Sequence, residues 1–389
     1  MIIKEDFEFD RLISDLNFCN FKKEKKDLGN YVDQGDCVKL YGPRNFGKTS
    51  LAKNIIAQNW LLKNIDKRVI IYADFFSIDN LDDISQEMTR AFNHGINAKK
   101  NLMEKGIEWM SSLKKLRPTW VPPTDSNSFG EFSVTSEKLE TIIDFQIIFE
   151  NINELQVKNK FEFLIILDEF QEINKIKKAE AQLRGALQLF TLKIPVIILG
   201  SKHHLLSNIF EKPKAPFYSW GHTIEFHPIA YQEFYKYMEI RFNKFNKSLA
   251  PEASVYLQDH LNRIPESMNR FCDYLSHEDQ IKKISFKEID QGMKDFVDKS
   301  RGTYEYLFSS FSTTEKKIIR LIAKKNRAHS LLGNDFLKEL DGVPKSTVAG
   351  LVTKLLNDSI ISQNFSDKSE KNYWITDPFF SYYLKVFKN

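Results

Sequence analysis

The amino-acid sequence predicts an α/β fold built on a doubly wound parallel sheet, followed by an all-helical stretch and a small C-terminal module. Three observations carry this reading. Strand-like and helical segments alternate through the first 229 residues, and a glycine-rich loop joins the first strand to its helix. A block of helices from Ala230 then gives way, after residue 300, to three helices and a β-rich tail. At 389 residues the chain exceeds a single core, and the expected domains are residues 1–229, 230–300 and 301–389.

The first strand is "CVKLY", which alternates and is rich in β-formers. The loop after it, "GPRNFGKTS", matches GxxxxGK[ST] through Gly42, Gly47, Lys48 and Thr49. Average composition would produce these four positions by chance on the order of 1 in 100 times. The following "TSLAKNIIAQNWLL" places Leu51, Ile55 and Leu62 on one helical face, which is the strand–loop–helix setting the motif requires. Such a loop wraps backbone N–H groups around phosphate oxygens, here across Gly42, Pro43, Arg44, Asn45, Phe46, Gly47, Lys48, Thr49 and Ser50. Lys48 brings a full charge to the outer phosphates, and Thr49 is placed to ligate Mg²⁺.

"RVIIYADFF" reads as the second strand, with Asp74 near its end. "FEFLIILDEFQEI" supplies the acidic strand: a continuous apolar run from Phe163 to Leu167, as in a strand buried on both faces, ends in Asp168 and Glu169. Ligands of open α/β sheets sit at the carboxyl ends of the strands, so these acids fall beside the loop. Asp168 is expected to hold Mg²⁺, and Glu169 to polarise an attacking water. "IPVIILGS" is a further buried strand, from which Ser201 emerges either as a sensor of the outer phosphate or as a plain turn serine. "HTIEFHPI" is a fifth, shorter strand. Between the second and acidic strands, residues 117–135 carry three prolines and read as a hairpin or a loop.

From Ala230 to about Lys299 the pattern is helical, with Pro251 and Pro265 at helix starts. From Ser312 three helices precede "SIISQNFSDKSEKNYWITD", a hairpin with a polar tip, which is the winged-helix order. In its third helix Val348, Leu351, Val352 and Leu355 face inward, leaving Lys345, Ser346, Ala349, Gly350 and Thr353 outward. With Lys368 and Lys371 on the wing, that face suits either duplex DNA or packing against the protein's own core.

A hydrophobic share of 42% with 28% charged residues excludes a disordered chain. The net charge is +4. Residues 301–389 hold fourteen Lys/Arg and nine Asp/Glu, so all of the excess lies at that end. Acidic residues stand where a secretory signal would carry its apolar core, and no apolar run approaches the roughly 18–20 residues of a membrane span. A cytoplasmic protein without membrane contact is expected. Cys19, Cys37 and Cys272 lie far apart, against a disulfide framework or zinc site. His203 and His204 are adjacent and lack a third ligand at useful spacing.

The motifs "YGPRNFGKTSL", "LDEFQEI", "LRGALQ", "ILGSKHHLLSNIF", "PFYSWGHTIEFHPI" and "YWITDPFFSYYL", in this order, resemble the archaeal-type ATPase family. This is a branch of the STAND nucleotide switches related to AAA+ proteins. The resemblance runs from about residue 20 to the C-terminus. It implies a doubly wound parallel-sheet P-loop NTPase core with a helical lid and a C-terminal winged-helix domain, using ATP and Mg²⁺. Lys48, Thr49, Asp168 and Glu169 match the family's phosphate, metal and hydrolysis positions. Arg184, in "LRGALQ", matches a family arginine that faces a neighbouring subunit's nucleotide or braces its own helix. The lid turn "LNRIPESMNRF" keeps Pro265 but has Asn262 and Arg263 where glycines are common, so Arg263 either contacts phosphate or points to solvent. Three functions are consistent with this pattern: an ATP-hydrolysing switch with a partner protein or self-assembly, a DNA-associated ATPase, and a non-hydrolysing nucleotide-bound scaffold.

Overall fold

The computed structural model describes residues 6–98, 116–121, 131–136, 144–363 and 372–388. The chain divides into two compact units, Met1–Ile229 and Ala230–Asn389.

In the first unit, helix α1 (Lys22–Asp33) precedes β1 (Cys37–Tyr41). After the loop the chain winds as a π-helix over Ser50–Ile56 and continues as α2 (Ala57–Leu62). Next come β2 (Arg68–Asp74) and α3 (Leu81–Asn97), whose start is fixed by a capping box between Asn80 and Asp83. β3 (Leu116–Val121) and β4 (Glu131–Ser136) pair antiparallel, so the hairpin alternative describes these two segments. α4 (Phe145–Asn159), β5 (Glu162–Asp168), α5 (Ala179–Leu187), β6 (Val196–Gly200), α6 (His203–Phe210) and β7 (His222–Glu225) complete the unit.

The sheet is parallel with order β2-β5-β6-β1-β7. β5 lies inside it, and Phe163 to Leu167 are all essentially buried, which is why this strand reads as a continuous apolar run rather than an alternating one. β6 starts at Val196 rather than Ile194 because Pro195 has no N–H to donate; its carbonyl still accepts from Ile165 N at 3.1 Å. The core packs α3 to α6 against one side of β2, β5 and β6, with Phe75, Phe149, Phe170 and Phe217 wholly buried. The winding brings the carboxyl ends of β1, β5 and β6 to one rim of the sheet.

The second unit opens with α7 (Tyr231–Lys244), β8 (Ser248–Leu249), α8 (Pro251–His260), α9 (Pro265–His277), β9 (Lys283–Ile284), α10 (Phe286–Lys299) and α11 (Arg301–Ser309), with β8 and β9 paired in parallel. Pro251 and Pro265 each occupy a first helical turn. α12 (Thr313–Lys325) is capped by Ser312, which forms a capping box with Glu315. α13 (Asn334–Lys338) and α14 (Lys345–Asn357) follow. Val348, Val352 and Leu355 are buried as expected, while Leu351 is only half-buried. The short β10 (Ala328–His329) joins β11 (Ile361–Gln363) and β12 (Asn372–Ile375) in a three-stranded sheet, a strand more than the expected hairpin. Lys368 and Lys371 lie outside the described residues. A final helix, α15 (Pro378–Phe387), capped by Asp377, packs the aromatic run of "DPFFSYYL" inward. Phe379 meets Phe296 at 4.7 Å between ring centroids.

Candidate active site

Lys48 begins the helix after β1, and the loop before it depends on backbone geometry open to few residues. Asn45 and Gly47 sit at φ 65° and 81°, the left-handed region where asparagine is tolerated and glycine favoured. A Cβ on Gly42 would lie 2.6 Å from the Cβ of Phe226, so the loop can lie this close to the end of β7 only with glycine there. Pro43 is half-buried, Arg44 and Asn45 are exposed, and Phe46 is buried. Lys48 Nζ donates to the carbonyls of Gly42 and Pro43 at 2.8 and 2.7 Å. Burial pushes this ammonium down to about 8, against the opposing pull of Glu169 and Asp168. The Ser50 hydroxyl accepts from Ile13 N at 3.1 Å and so ties the N-terminal segment to the helix after the loop.

Asp168, at the end of β5, gathers three donors. Its Oδ2 accepts from Thr49 Oγ1 at 2.7 Å and from the Tyr72 hydroxyl at 3.1 Å; its Oδ1 accepts from Glu169 N at 2.8 Å. Burial raises the Asp168 carboxyl above the ordinary carboxylate range, and the Thr49 hydrogen bond opposes the shift. Lys53 lies 3.6 Å from the Tyr72 ring centroid. Glu169 has the left-handed conformation φ 49°, ψ 39°. Its Oε2 accepts from Ser201 Oγ at 3.2 Å and from the Gln171 side-chain amide. Ser201 thereby joins Lys48, Thr49, Asp168 and Glu169 at one rim of the sheet.

Arg184 is not among them. It lies close enough to influence the Cys37 thiol at the opening of β1, whereas the loop leaves from Tyr41, four residues or about 13 Å further along an extended strand. Within its own chain Arg184 therefore stands toward the other end of the sheet. In the second unit, the Arg263 guanidinium lies 4.5 Å from the Tyr231 ring centroid, and Pro265 is buried at the start of α9. The side chains of His203 and His204 lie outside the described ones. Among the described residues no group of three or more His, Cys, Asp or Glu converges to hold a metal ion. Sequence reasoning missed Tyr72 and assigned no role to Gln171. The alternation of β2 was a signal for Tyr72, because it stands two residues before Asp74 and so shares its face.

Two family models match the chain: "ATPase domain predominantly from Archaea" over residues 18–259 and "Probable winged helix domain" over residues 302–386. Among solved structures, the Walker-type ATPase PABY2304 of Pyrococcus abyssi is similar at a TM-score of 0.62 and 15% identity, covering 98% of this chain and 99% of that one. The Aeropyrum pernix ORC2 protein in its ADPNP–ADP complexes reaches 0.57 at 15% identity, covering 97% and 94%. The Aeropyrum pernix ORC1 protein in complex with DNA reaches 0.51 at 11% identity, covering 99% and 98%. At these identities the likeness is one of fold. Among curated proteins none matches the chain.

Proposed function

We propose a function from the premise that the chain belongs to the family of ATPase domains found predominantly in Archaea: this ATPase acts as a Mg²⁺-dependent switch whose nucleotide state sets the arrangement of its lid and winged helix. The observation that carries the reading is the convergence of Lys48, Thr49, Asp168, Glu169 and Ser201 at the carboxyl rim of the sheet.

The residues fit the groups this chemistry needs. Lys48 is a buried ammonium held by two loop carbonyls, which phosphate oxygens can replace as partners. Gly42 to Ser50 would cradle the phosphates, and Thr49 with Asp168 would hold Mg²⁺, a hydroxyl and a carboxylate being the hard oxygen donors it prefers. When bound, the ion supplies neutralisation of phosphate charge. Lys48 orients the outer phosphates. Glu169 accepts the proton of the attacking water as its oxygen bonds to the γ-phosphorus and the bridging bond to ADP breaks. Ser201 steadies Glu169. Arg263 and Pro265 are proposed as lid residues that respond to nucleotide, and Arg184 as a residue serving a neighbouring copy in a self-assembled state.

A second reading, a DNA-associated ATPase, is favoured by the exposed Lys345, Ser346, Gly350 and Thr353 on α14. One experiment separates the two: phosphate release from ATP with Mg²⁺ for wild type, Lys48→Ala and Glu169→Gln, with and without duplex DNA, alongside light scattering. The switch reading expects slow turnover indifferent to DNA, lost in both variants, with ATP binding kept by Glu169→Gln. A Lys48-dependent rate raised by DNA puts the second reading first, and undiminished turnover in Glu169→Gln removes that residue from its role.

A further inference from the structure

Gln171 is wholly buried at the rim of the sheet, yet its side chain ends in a polar amide. Every hydrogen-bonding group of its amide has a partner. Nε2 donates to Glu169 and, at 3.3 Å, to Oε1 of Glu172; Oε1 accepts from Ser201 N at 3.3 Å. Two carboxylates need donors on one side and a backbone N–H needs an acceptor on the other, so only one orientation of the amide serves all three. The seat is shaped for it. A Cβ on Gly200 would come 2.6 Å from Gln171 Oε1 and 2.6 Å from Leu206 Cδ1, so a residue other than glycine at the end of β6 would push against the amide. Glu172, itself 4% exposed, extends the chain of contacts to Lys202 at 3.2 Å.

Ser201 Oγ and Gln171 Nε2 both meet Glu169 at the same oxygen, Oε2. A carboxylate on a three-bond side chain has several rotamers, and two donors converging on one oxygen select one of them. The residue that bears it has a left-handed backbone, which alone would cost on the order of 1 kcal/mol and persists where surrounding contacts determine it.

We propose that Gln171 is a positioning residue for ATP hydrolysis: its amide, seated against Gly200, fixes Oε2 of Glu169 to the start of the β6–α6 connection and so presents Oε1 to the attacking water. The inference rests on the reading of Glu169 as the proton acceptor and adds how that group is aimed. It acts through Glu169 and does not touch ATP.

The test is full-length protein assayed for single- and multiple-turnover hydrolysis, ATP affinity and melting temperature. Gln171→Leu is expected to lower kcat about 10- to 100-fold, the scale of a misplaced catalytic group, while KM and ATP affinity stay near wild type and the melting temperature falls with the lost buried hydrogen bonds. Gly200→Ala, which disturbs the amide from the opposite side, is expected to lower kcat in the same direction. Gln171→Glu keeps the shape but replaces the donor to Glu169 Oε2 with an acceptor, so kcat should fall while KM and ATP affinity hold. A purely structural role would lower turnover equally whether or not Glu169 is present. In a Glu169→Gln background the Gln171→Leu change should reduce residual turnover no further. If Gln171→Leu does not fold, Gln171→Glu and Gly200→Ala carry the test. An unchanged kcat in all three variants overturns the inference, as does an equal reduction by Gln171→Leu in both backgrounds. Wild-type turnover in Glu169→Gln overturns the reading of Glu169 itself, whatever Gln171 does, so the two failures are distinguishable.

Discussion

Lys48 is a lysine held almost entirely out of water. Its folded-state value near 8, against 10.5 for an unperturbed lysine, means the native protein binds fewer protons than the unfolded chain between those limits. Stability of the nucleotide-free protein should therefore rise as pH climbs from about 8 to 10.5 and be lowest, for this group, below 8. Urea unfolding at several pH values checks it: Lys48→Met should flatten that slope, and an unchanged slope would assign it to other groups. Adding ATP restores charged partners to the ammonium and should reduce the slope in wild type. The residues of this site divide by how they announce themselves in sequence. Gly42 to Thr49 and the pair Asp168–Glu169 were legible because backbone and helix-terminus chemistry demands specific residue types at fixed local spacing. Tyr72 and Gln171 were not, because their meaning lies in contacts with Asp168, 96 positions away, and Ser201, 30 away. Ser50 fits the motif by position, but its hydroxyl is engaged by Ile13.

The end of α8 shows how an element can keep a glycine geometry without glycine. Asn262 and Arg263 both take left-handed conformations, φ 52° and 54°, and Arg263 N returns to Gln258 O at 2.8 Å, closing the helix. The turn form expected from glycines is thus present, held by an asparagine that tolerates it and an arginine stacked on Tyr231. Arg263→Gly should leave stability within about 1 kcal/mol of wild type, relief of backbone strain offsetting the lost stacking, while Arg263→Val should cost about 1–3 kcal/mol. Thermal unfolding measures both. With folding preserved, a fall in ATP affinity for Arg263→Gly would mark a phosphate contact, and unchanged affinity would remove Arg263 from the nucleotide site. Most elements were legible for similarly local reasons: the apolar run of β5 and the prolines at the starts of α8 and α9. β10 was not, since two residues carry no periodicity and pair only through β12. On α14, Lys345→Glu should weaken duplex DNA affinity and lower its salt dependence by about one phosphate contact if that helix meets DNA. Titrations at several salt concentrations with no change in slope would place the helix elsewhere.

At the scale of the whole molecule, the phosphate loop lies in the unit Met1–Ile229 and the winged helix in Ala230–Asn389, so a switch needs free energy to pass from one to the other. A ligand shifts an equilibrium only by its differential affinity for the two states, which makes the coupling measurable. ATP at 100 times its dissociation constant stabilises whatever it binds by about 2.7 kcal/mol, equivalent to roughly 5–10 °C for a unit of 150–250 residues. Glu169→Gln with Mg²⁺ and ATP is the form to heat, because it should bind without turning over. If nucleotide contacts only the first unit, calorimetry should show one transition that moves with ATP and another, from Ala230–Asn389, that stays. The switch reading expects the second transition to move as well, by an amount that falls when Arg263 is replaced by glycine. A second unit indifferent to ATP would leave hydrolysis intact as chemistry but sever it from the winged helix, and the chain would then be an ATPase whose signal leaves by another route.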